Sequence, residues 1–210
     1  MYFLFDFDGT LVDSFDCVIG KFNLLAKEFS FKTVSDEELS TLRDMSSRQL
    51  ISHLQIPLFK IPSIIFKARE LLHDDMPNLL PFDNLREVLI QLKERQIFLN
   101  ILTSNSKQNV SQWLEYNNMA HLFGVIHSQS GFFGKKYSIN NFLKRYQIEK
   151  QQLFYVGDET RDIEAAKKTG IASIAVTWGF NSEKILAQYE PDYMVHKPED
   201  LLTLASALKN

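Results

Sequence analysis

The stretch that decides the fold is Met1-Tyr2-Phe3-Leu4-Phe5-Asp6-Phe7-Asp8-Gly9-Thr10-Leu11-Val12-Asp13-Ser14. Its first part, Tyr2 to Phe5, is continuously apolar and aromatic, which is typical of a strand buried on both faces in a parallel sheet. Asp6 and Asp8 follow where that strand ends, and open α/β sheets place their ligands at this end. Because side chains alternate along a strand, both carboxylates point to the same side and repel each other unless a cation lies between them or one is protonated. The stretch therefore predicts a site for a divalent metal and a nucleophile.

The same Asp-x-Asp-Gly run has a second interpretation, because Asp and Gly are also common in turns and helix caps. Two observations favour a site. The pair directly follows a predicted strand, and further polar clusters stand at the ends of later apolar runs. Since the strand ends of one parallel sheet meet at one edge, we expect these clusters to lie together.

Length and composition indicate an ordinary soluble globular chain. Its 210 residues suffice for one core domain and a modest insertion. The net charge of -3 offers no electrostatic reason to bind nucleic acid or an anionic membrane. Cys17 is the only cysteine, which excludes an intrachain disulfide, and no apolar run approaches the roughly 18 residues of a membrane span. We therefore expect a cytoplasmic protein that binds neither nucleic acid nor a membrane.

The order of periodic segments predicts the architecture. Residues 15–78 show helical spacing of apolar residues and no clear strand, which predicts an inserted block of about four helices. From residue 79 onward strands and helices alternate, which predicts a parallel sheet with helices on both faces. The fold class is therefore α/β, with a doubly wound, mostly parallel sheet and a Rossmann-like core formed by residues 1–14 and 79–210.

The segment from Asp6 to Ser14 resembles the first motif of the haloacid dehalogenase-like hydrolases, in their phosphoglycolate phosphatase-like branch. Three later clusters resemble the family's other motifs in the same order, namely Thr103-Ser104-Asn105, Gly134-Lys135-Lys136 and Gly157-Asp158-Glu159-Thr160-Arg161-Asp162. The resemblance covers essentially the whole chain. It implies that residues 15–78 form a small α-helical cap domain inserted after the first motif.

The resemblance implies catalysis through an aspartyl-phosphate. Asp6 is expected to be the nucleophile, and its carboxylate is already ionised at neutral pH, so that it needs orientation rather than a base. Asp8 is expected to act as general acid and then as general base. Mg²⁺ is the implied cofactor, because hard oxygen ligands suit it, with Asp6, the main-chain carbonyl of Asp8 and Asp158 as ligands. Asp162 either holds a water of that ion or is simply a first-turn acid of a helix.

The same resemblance implies which residues bind the phosphoryl group. Gly9 and Thr10 are expected to bring backbone N–H groups close to its oxygens. A hydroxyl after the second-motif strand is expected to donate to a phosphoryl oxygen, and Ser104 is preferred over Thr103 because Asn105 follows it.

The third motif supplies a lysine. Lys135 is expected to balance the charge of the phosphate and Asp6, with Lys136 as the alternative. Lys136 stands where relatives often have proline. Glu159 stands where many relatives have serine, and the sequence leaves its role open.

Substrate choice is expected to depend on the cap. Arg43 and Arg48 lie in a polar turn between cap helices, where either one is a candidate for binding an anionic leaving group or is plain surface arginine. The expected substrate is a small phosphorylated metabolite, with phosphoglycolate as the first candidate. A sugar phosphomutase or a non-catalytic binding protein on the same fold are the alternatives. The sequence does not determine the oligomeric state.

Overall fold

The structure, a computed structural model, describes residues 1–129 and 134–209 of the chain. Within them six strands form one sheet, and each pair of neighbouring strands is parallel. The strands are β1 (Tyr2–Phe5), β2 (Phe98–Thr103), β3 (Phe123–Ser128), β4 (Leu153–Gly157), β5 (Ala172–Val176) and β6 (Tyr193–Val195). Their order across the sheet is β3-β2-β1-β4-β5-β6, so the first strand lies in the middle.

Among the described residues, five α-helices lie between β1 and β2, and one α-helix follows each later strand. They are α1 (Phe15–Phe29), α2 (Leu39–Arg43), α3 (Ser47–His53), α4 (Ile61–His73), α5 (Leu85–Glu94), α6 (Lys107–Tyr116), α7 (Lys135–Tyr146), α8 (Thr160–Thr169), α9 (Glu183–Gln188) and α10 (Asp200–Ala207). The first four, α1 to α4, follow β1 and precede β2, and they are called the cap helices below. In the part of the chain that the structure describes, no helix has both the length and the apolar character to cross a bilayer.

The side chains of β1 divide between the two faces of the sheet. Phe3 and Phe5 belong to a cluster with apolar residues of α5, α6 and α10, whereas Leu4 packs with apolar residues of α7 and α8. All three side chains are fully buried. Helices therefore cover both faces, as a strand that is apolar at every position requires. The predicted fold class, a doubly wound parallel α/β sheet with a Rossmann-like core, is confirmed.

The cap helices have apolar clusters of their own. Leu25 and Ala26 of α1 pack with Ile64 of α4, and Leu42 at the end of α2 packs with Leu54 just after α3. The division into a core of residues 1–14 and 79–210 and a cap of residues 15–78 stays a prediction. Residues 130–133 and 210 of the predicted core lie outside the described residues.

Two connections join the cap helices to the sheet, and they run side by side. The Asp13 backbone N–H donates to the Leu80 carbonyl at 3.0 Å, and Val12 and Pro81 form an isolated antiparallel bridge. The indole N–H of Trp113 on α6 donates to the Leu79 carbonyl at 2.8 Å. Helix α6 therefore fixes the return connection against the sheet.

Two helix starts have local causes. Helix α5 begins at Leu85, because Asn84 before it adopts a left-handed conformation with φ of 59°. Helix α8 begins at Thr160, because Asp162 accepts the backbone N–H of Glu159 and so completes a capping box.

We expect Trp113→Phe to lower the free energy of unfolding by about 2–4 kcal/mol. Its ring is fully buried and meets the Phe7 ring edge to face at 5.2 Å. The substitution leaves a cavity and an unpaired carbonyl at Leu79. Tyr116→Phe, on the same helix but 61% exposed, should change the free energy by less than about 0.5 kcal/mol. Urea unfolding measures both, and equal effects would contradict the anchoring role of the indole.

Candidate active site

The candidate site lies where the central strands end. Strand β1 lies between β2 and β4, so the residues that follow these three strands meet at one edge of the sheet. Asp6 follows β1, Ser104 follows β2 and Asp158 follows β4, while Lys135 opens α7. The order of the strands thus brings all four predicted motifs to one place.

Three carboxylates form the centre of the site. Asp6, Asp158 and Asp162 each offer an oxygen atom within 4.8 Å of the others. They are only 2%, 0% and 2% exposed, so that water barely screens their charges. The Lys135 Nζ donates to Asp6 Oδ2 at 2.5 Å and also to Asp162 Oδ1. The cluster therefore contains three buried carboxylates and one buried ammonium, which pairs with two of them.

Lys135 is held from several sides. It is 3% exposed, and its Nζ lies 5.1 Å from the centre of the Tyr155 ring. Burial by itself would lower the pKa of Lys135, but the charges of Asp162 and Asp6 outweigh it and raise this pKa above its usual value. Lys136, the alternative from the sequence, is exposed. The geometry therefore places Lys135, and not Lys136, against Asp6.

The Asp6 carboxylate is oriented by one contact on each oxygen. The Phe7 backbone N–H donates to Asp6 Oδ1 at 2.8 Å, and Lys135 binds Oδ2. The Asp6 backbone N–H donates to the Val156 carbonyl of β4 at 2.8 Å. The Phe7 backbone and Lys135 therefore set the position of the Asp6 carboxylate.

Asp158 and Asp162 are also tied to their surroundings. Asp158 accepts the Thr10 hydroxyl at 2.6 Å and the Phe180 backbone N–H at 2.7 Å. Burial, and then the charges of neighbouring carboxylates, raise the pKa of Asp158 well above its usual value. Burial raises the pKa of Asp162 to about 6, against the opposing effect of Lys135. Asp162 Oδ2 accepts the Glu159 backbone N–H of the helix cap, whereas Oδ1 accepts from Lys135 within the cluster. This position is compatible with a first-turn acid of α8 and with a residue that holds a water of a metal ion.

The residues present fit a hard divalent cation. All donor atoms of the three carboxylates are oxygens, the ligand type that Mg²⁺ prefers. The raised pKa values of Asp158 and Asp162 indicate that the excess negative charge is costly in this buried place, and a second cation would offset it. The oxygens of Asp6, Asp158 and Asp162 therefore suit such an ion, and the predicted ligand set of Asp6, the Asp8 carbonyl and Asp158 stays a prediction.

Asp8 lies beside the cluster and is partly buried. Its Oδ2 accepts from Asn105 Nδ2 at 3.0 Å, and its Oδ1 accepts from the Ser14 hydroxyl at 3.2 Å. Burial, and then the nearby Asp6 charge, raise the pKa of Asp8 to about 6. A carboxyl group with such a pKa can both give and take a proton near neutral pH.

The predicted phosphate-binding residues Gly9, Thr10, Ser104 and Asn105 belong to two segments, one after β1 and one after β2. Gly9 has φ of 73°, and a Cβ there would lie 2.3 Å from Asp158 Oδ2, so only glycine fits. In the second motif, the Thr103 hydroxyl is buried and accepts the Asn105 backbone N–H at 2.9 Å. Ser104 keeps some exposed surface, which is what a ligand contact requires.

Sequence reasoning missed the β5–α9 segment, residues 177–182, which joins the site to the cap helices. Phe180 donates its N–H to Asp158, and the Trp178 indole donates to the Thr10 carbonyl at 3.2 Å. Asn181 accepts the Thr160 N–H at 2.9 Å and donates to the Met45 carbonyl at 2.9 Å. The only signal was the run Gly179-Phe180-Asn181, separated by two residues from the end of a buried strand.

The predicted specificity residues have different surroundings. Arg43 donates to the Gly179 carbonyl at 2.6 Å and lies over the Phe15 ring at 5.1 Å, so it ties α2 to the β5–α9 segment. Arg48 has a largely exposed side chain, and it lines a cavity of about 110 Å³. Glu159 accepts the Ser47 hydroxyl of α3 at 3.2 Å and pairs with Arg161. Glu159 is thus a contact between a cap helix and the site.

We expect Lys135→Met to lower the free energy of unfolding by about 3–5 kcal/mol in metal-free buffer, because buried carboxylates lose their cation. The control is Lys136→Met at the exposed neighbouring position, with an expected change below about 0.5 kcal/mol. Urea unfolding followed by circular dichroism compares the two variants. Equal effects would contradict the assignment of the buried ammonium to Lys135.

The chain is similar to known proteins over nearly its whole length. A family model described as haloacid dehalogenase-like hydrolase matches residues 3–176. The phosphoglycolate phosphatase of Synechococcus elongatus is 34% identical over 205 residues, covering 98% of this chain and 97% of that protein. The pyrophosphatase PpaX of Bacillus cereus is 25% identical over 207 residues, covering 97% of this chain and 95% of that protein.

A solved structure has the same fold. The structure of a predicted phosphatase from Clostridium acetobutylicum superposes with a TM-score of 0.81 at 24% identity, covering 97% of this chain and 96% of that one. The family match spans most of the chain, and the resemblance found in the sequence is confirmed. The chain therefore belongs to the haloacid dehalogenase-like hydrolases, in their phosphatase branch.

Proposed function

We propose that the protein is a Mg²⁺-dependent phosphomonoester hydrolase that acts through an aspartyl-phosphate on Asp6. The observation that carries this proposal is the setting of the Asp6 carboxylate. It is oriented by a backbone N–H and by Lys135, it shares a cluster with Asp158 and Asp162, and Asp8 stands two residues away with a pKa of about 6. A nucleophile and a proton-transfer group thus stand side by side.

The first step transfers the phosphoryl group to the enzyme. A carboxylate oxygen of Asp6 attacks phosphorus, and the bond from phosphorus to the leaving oxygen breaks. The proton of Asp8 passes to that oxygen, so the alcohol leaves neutral. In this proposal Lys135, which is bonded to Asp6, balances the charge of the phosphoryl oxygens, and the Ser104 hydroxyl donates to one of them.

The second step returns the enzyme to its first state. The Asp8 carboxylate takes a proton from water, and the water oxygen attacks phosphorus. The bond from phosphorus to Asp6 breaks, which releases inorganic phosphate and the free carboxylate. Asp8 is then protonated again, as the next cycle requires.

The metal would be held by Asp6, Asp158 and the main-chain carbonyl of Asp8, with Asp162 bonded through a water. When bound, Mg²⁺ supplies positive charge against the phosphoryl oxygens and lowers the repulsion between nucleophile and substrate. The Thr10 hydroxyl and the Phe180 N–H hold Asp158 in the orientation that this requires.

We propose a small substrate whose leaving group carries a second anion, with phosphoglycolate as the first candidate. Lys135 lines a cavity together with four further cationic side chains, those of Arg48, Lys136, Arg161 and Lys168. One acidic residue, Glu164, and several uncharged residues complete its lining. A carboxylate or a second phosphate suits such a lining. The names of the relatives from Synechococcus elongatus and Bacillus cereus, a phosphoglycolate phosphatase and a pyrophosphatase, agree with this class.

The cap helices are proposed to close over this cavity and to exclude water during the reaction. Arg48 of α3 lines the cavity from the cap side. The domain limits of residues 15–78 for the cap, and a cytoplasmic location, belong to the same proposal.

We expect Asp6→Asn to reduce phosphate release from phosphoglycolate by at least about 10³-fold, because an amide does not attack phosphorus. Asp13→Asn, in the same segment but exposed, is the control and should keep wild-type activity. A malachite green assay of released phosphate measures both variants. Wild-type turnover by Asp6→Asn would show that the nucleophile is another residue.

The same assay separates the proposal from its alternatives. Isomerisation of a sugar phosphate without phosphate release would indicate a phosphomutase. An absence of hydrolysis across phosphoglycolate, pyrophosphate, sugar phosphates and nucleotides, with Mg²⁺ present, would indicate a binding protein.

We expect a chelator to stop hydrolysis and Mg²⁺ to restore it. Mg²⁺ should also raise the melting temperature of the wild-type protein, because a ligand that binds only the folded state stabilises it. Asp158→Asn should lose most of this increase, whereas Asp13→Asn should keep it. Full activity in excess chelator, or an equal increase in both variants, would contradict the metal site.

A further inference from the structure

We propose that Asn109 is a positioning residue for Asp8, and that it connects this carboxylate to the last cap helix through a chain of hydrogen bonds. The inference rests on the proposed role of Asp8 in proton transfer. Asn109 lies on α6, one turn after Asn105, and neither the motifs nor the proposed mechanism uses it.

The chain begins at Asp8. The amide nitrogen of Asn105 donates to Asp8 Oδ2 at 3.0 Å. The amide oxygen of Asn105 accepts the Ser106 backbone N–H at 2.8 Å. Because a backbone N–H can only donate, the oxygen of Asn105 must face Ser106 and its nitrogen must face Asp8.

Asn109 continues the chain with an equally fixed orientation. Its amide nitrogen donates to the Asn105 amide oxygen at 3.0 Å and to the Arg69 carbonyl at 2.9 Å. Since both partners accept, its oxygen must face His73 Nδ1, which lies 2.9 Å away. His73 therefore carries its proton on Nδ1, and the donors run from His73 to Asn109, to Asn105 and to Asp8.

Burial makes this chain rigid. Asn105 and Asn109 are 3% and 2% exposed, so water does not readily replace a lost partner. Without Asn109, the amide oxygen of Asn105 would keep only the Ser106 N–H and would lose one of the two donors that hold its orientation. Asn109 therefore contributes to the direction of the Asn105 N–H and, through it, to the position of Asp8, which Ser14 also holds.

The far end of the chain is anchored as well. Arg69 and His73 lie on α4, the last cap helix. The Arg69 guanidinium donates from Nε to the Ser104 carbonyl at 2.7 Å and from Nη2 to the Gln129 carbonyl at 2.7 Å. Helix α4 is thus bonded to the turns that follow β2 and β3, and it presents the partners of Asn109 in a set place.

The test compares two leaving groups, because positioning of a general acid matters only where the leaving oxygen needs a proton. We expect Asn109→Ala and Asn109→Asp to lower kcat/KM for phosphoglycolate by about 10- to 100-fold. The value for p-nitrophenyl phosphate should fall less than about threefold, because its leaving group departs as an anion. Gln108→Ala, the exposed neighbour on the same helix, should change neither value.

A purely structural role would lower both values equally, and that result would overturn the inference. The hydrogen-bond chain is also measured without turnover, by the NMR signal of the Asn105 side-chain amide. In Asn109→Ala this signal should shift and exchange with water about tenfold faster, and in Gln108→Ala it should stay unchanged. An unchanged NMR signal in Asn109→Ala would overturn the inference, whether or not the protein is active. If the wild-type protein hydrolyses neither compound, that result would contradict the proposed function instead.

Discussion

The main constraint on this structure is the repulsion between three buried carboxylates, which positive charge must offset. Asp6, Asp158 and Asp162 offer oxygens within 4.8 Å of one another, in a place that water barely reaches. Like charges this close and this dry cannot all stay ionised without cations. Lys135 provides one ammonium, and the remaining negative charge suits a divalent ion. The surrounding fold holds these groups against their own repulsion.

Three parts of the fold share that task. The central position of β1 places Asp6 between the ends of β2 and β4. The start of α7 buries Lys135 against it. The β5–α9 segment bonds Asp158 on one side and the backbone of α2 and the following turn on the other. The cap helices are therefore connected to the charged cluster through backbone and amide contacts, as a site that excludes water would require.

Much of this site was visible in the sequence because its signals are local. Asp6 and Asp8 stand out because a strand and a turn flank them within a few residues. The sequence favoured Lys135 but left Lys136 as an alternative, because the choice depends on which side of α7 faces the sheet. The N–H of Phe180 gave no signal at all, since every residue except proline has one. From the sequence, Arg43 was either a candidate for binding an anionic leaving group or plain surface arginine, and in the structure it bonds the Gly179 carbonyl.

The sequence by itself determined the family, the parallel α/β fold and the clusters of residues that meet at the strand ends. These follow from apolar periodicity and short motifs, which are properties of neighbouring residues. Only the tertiary structure decided which lysine balances Asp6, how Asp158 is oriented and how Asp8 is connected to α4. Those features are contacts between residues as far apart as Thr10 and Asp158, and no pattern along the chain specifies the distance and direction of such a contact.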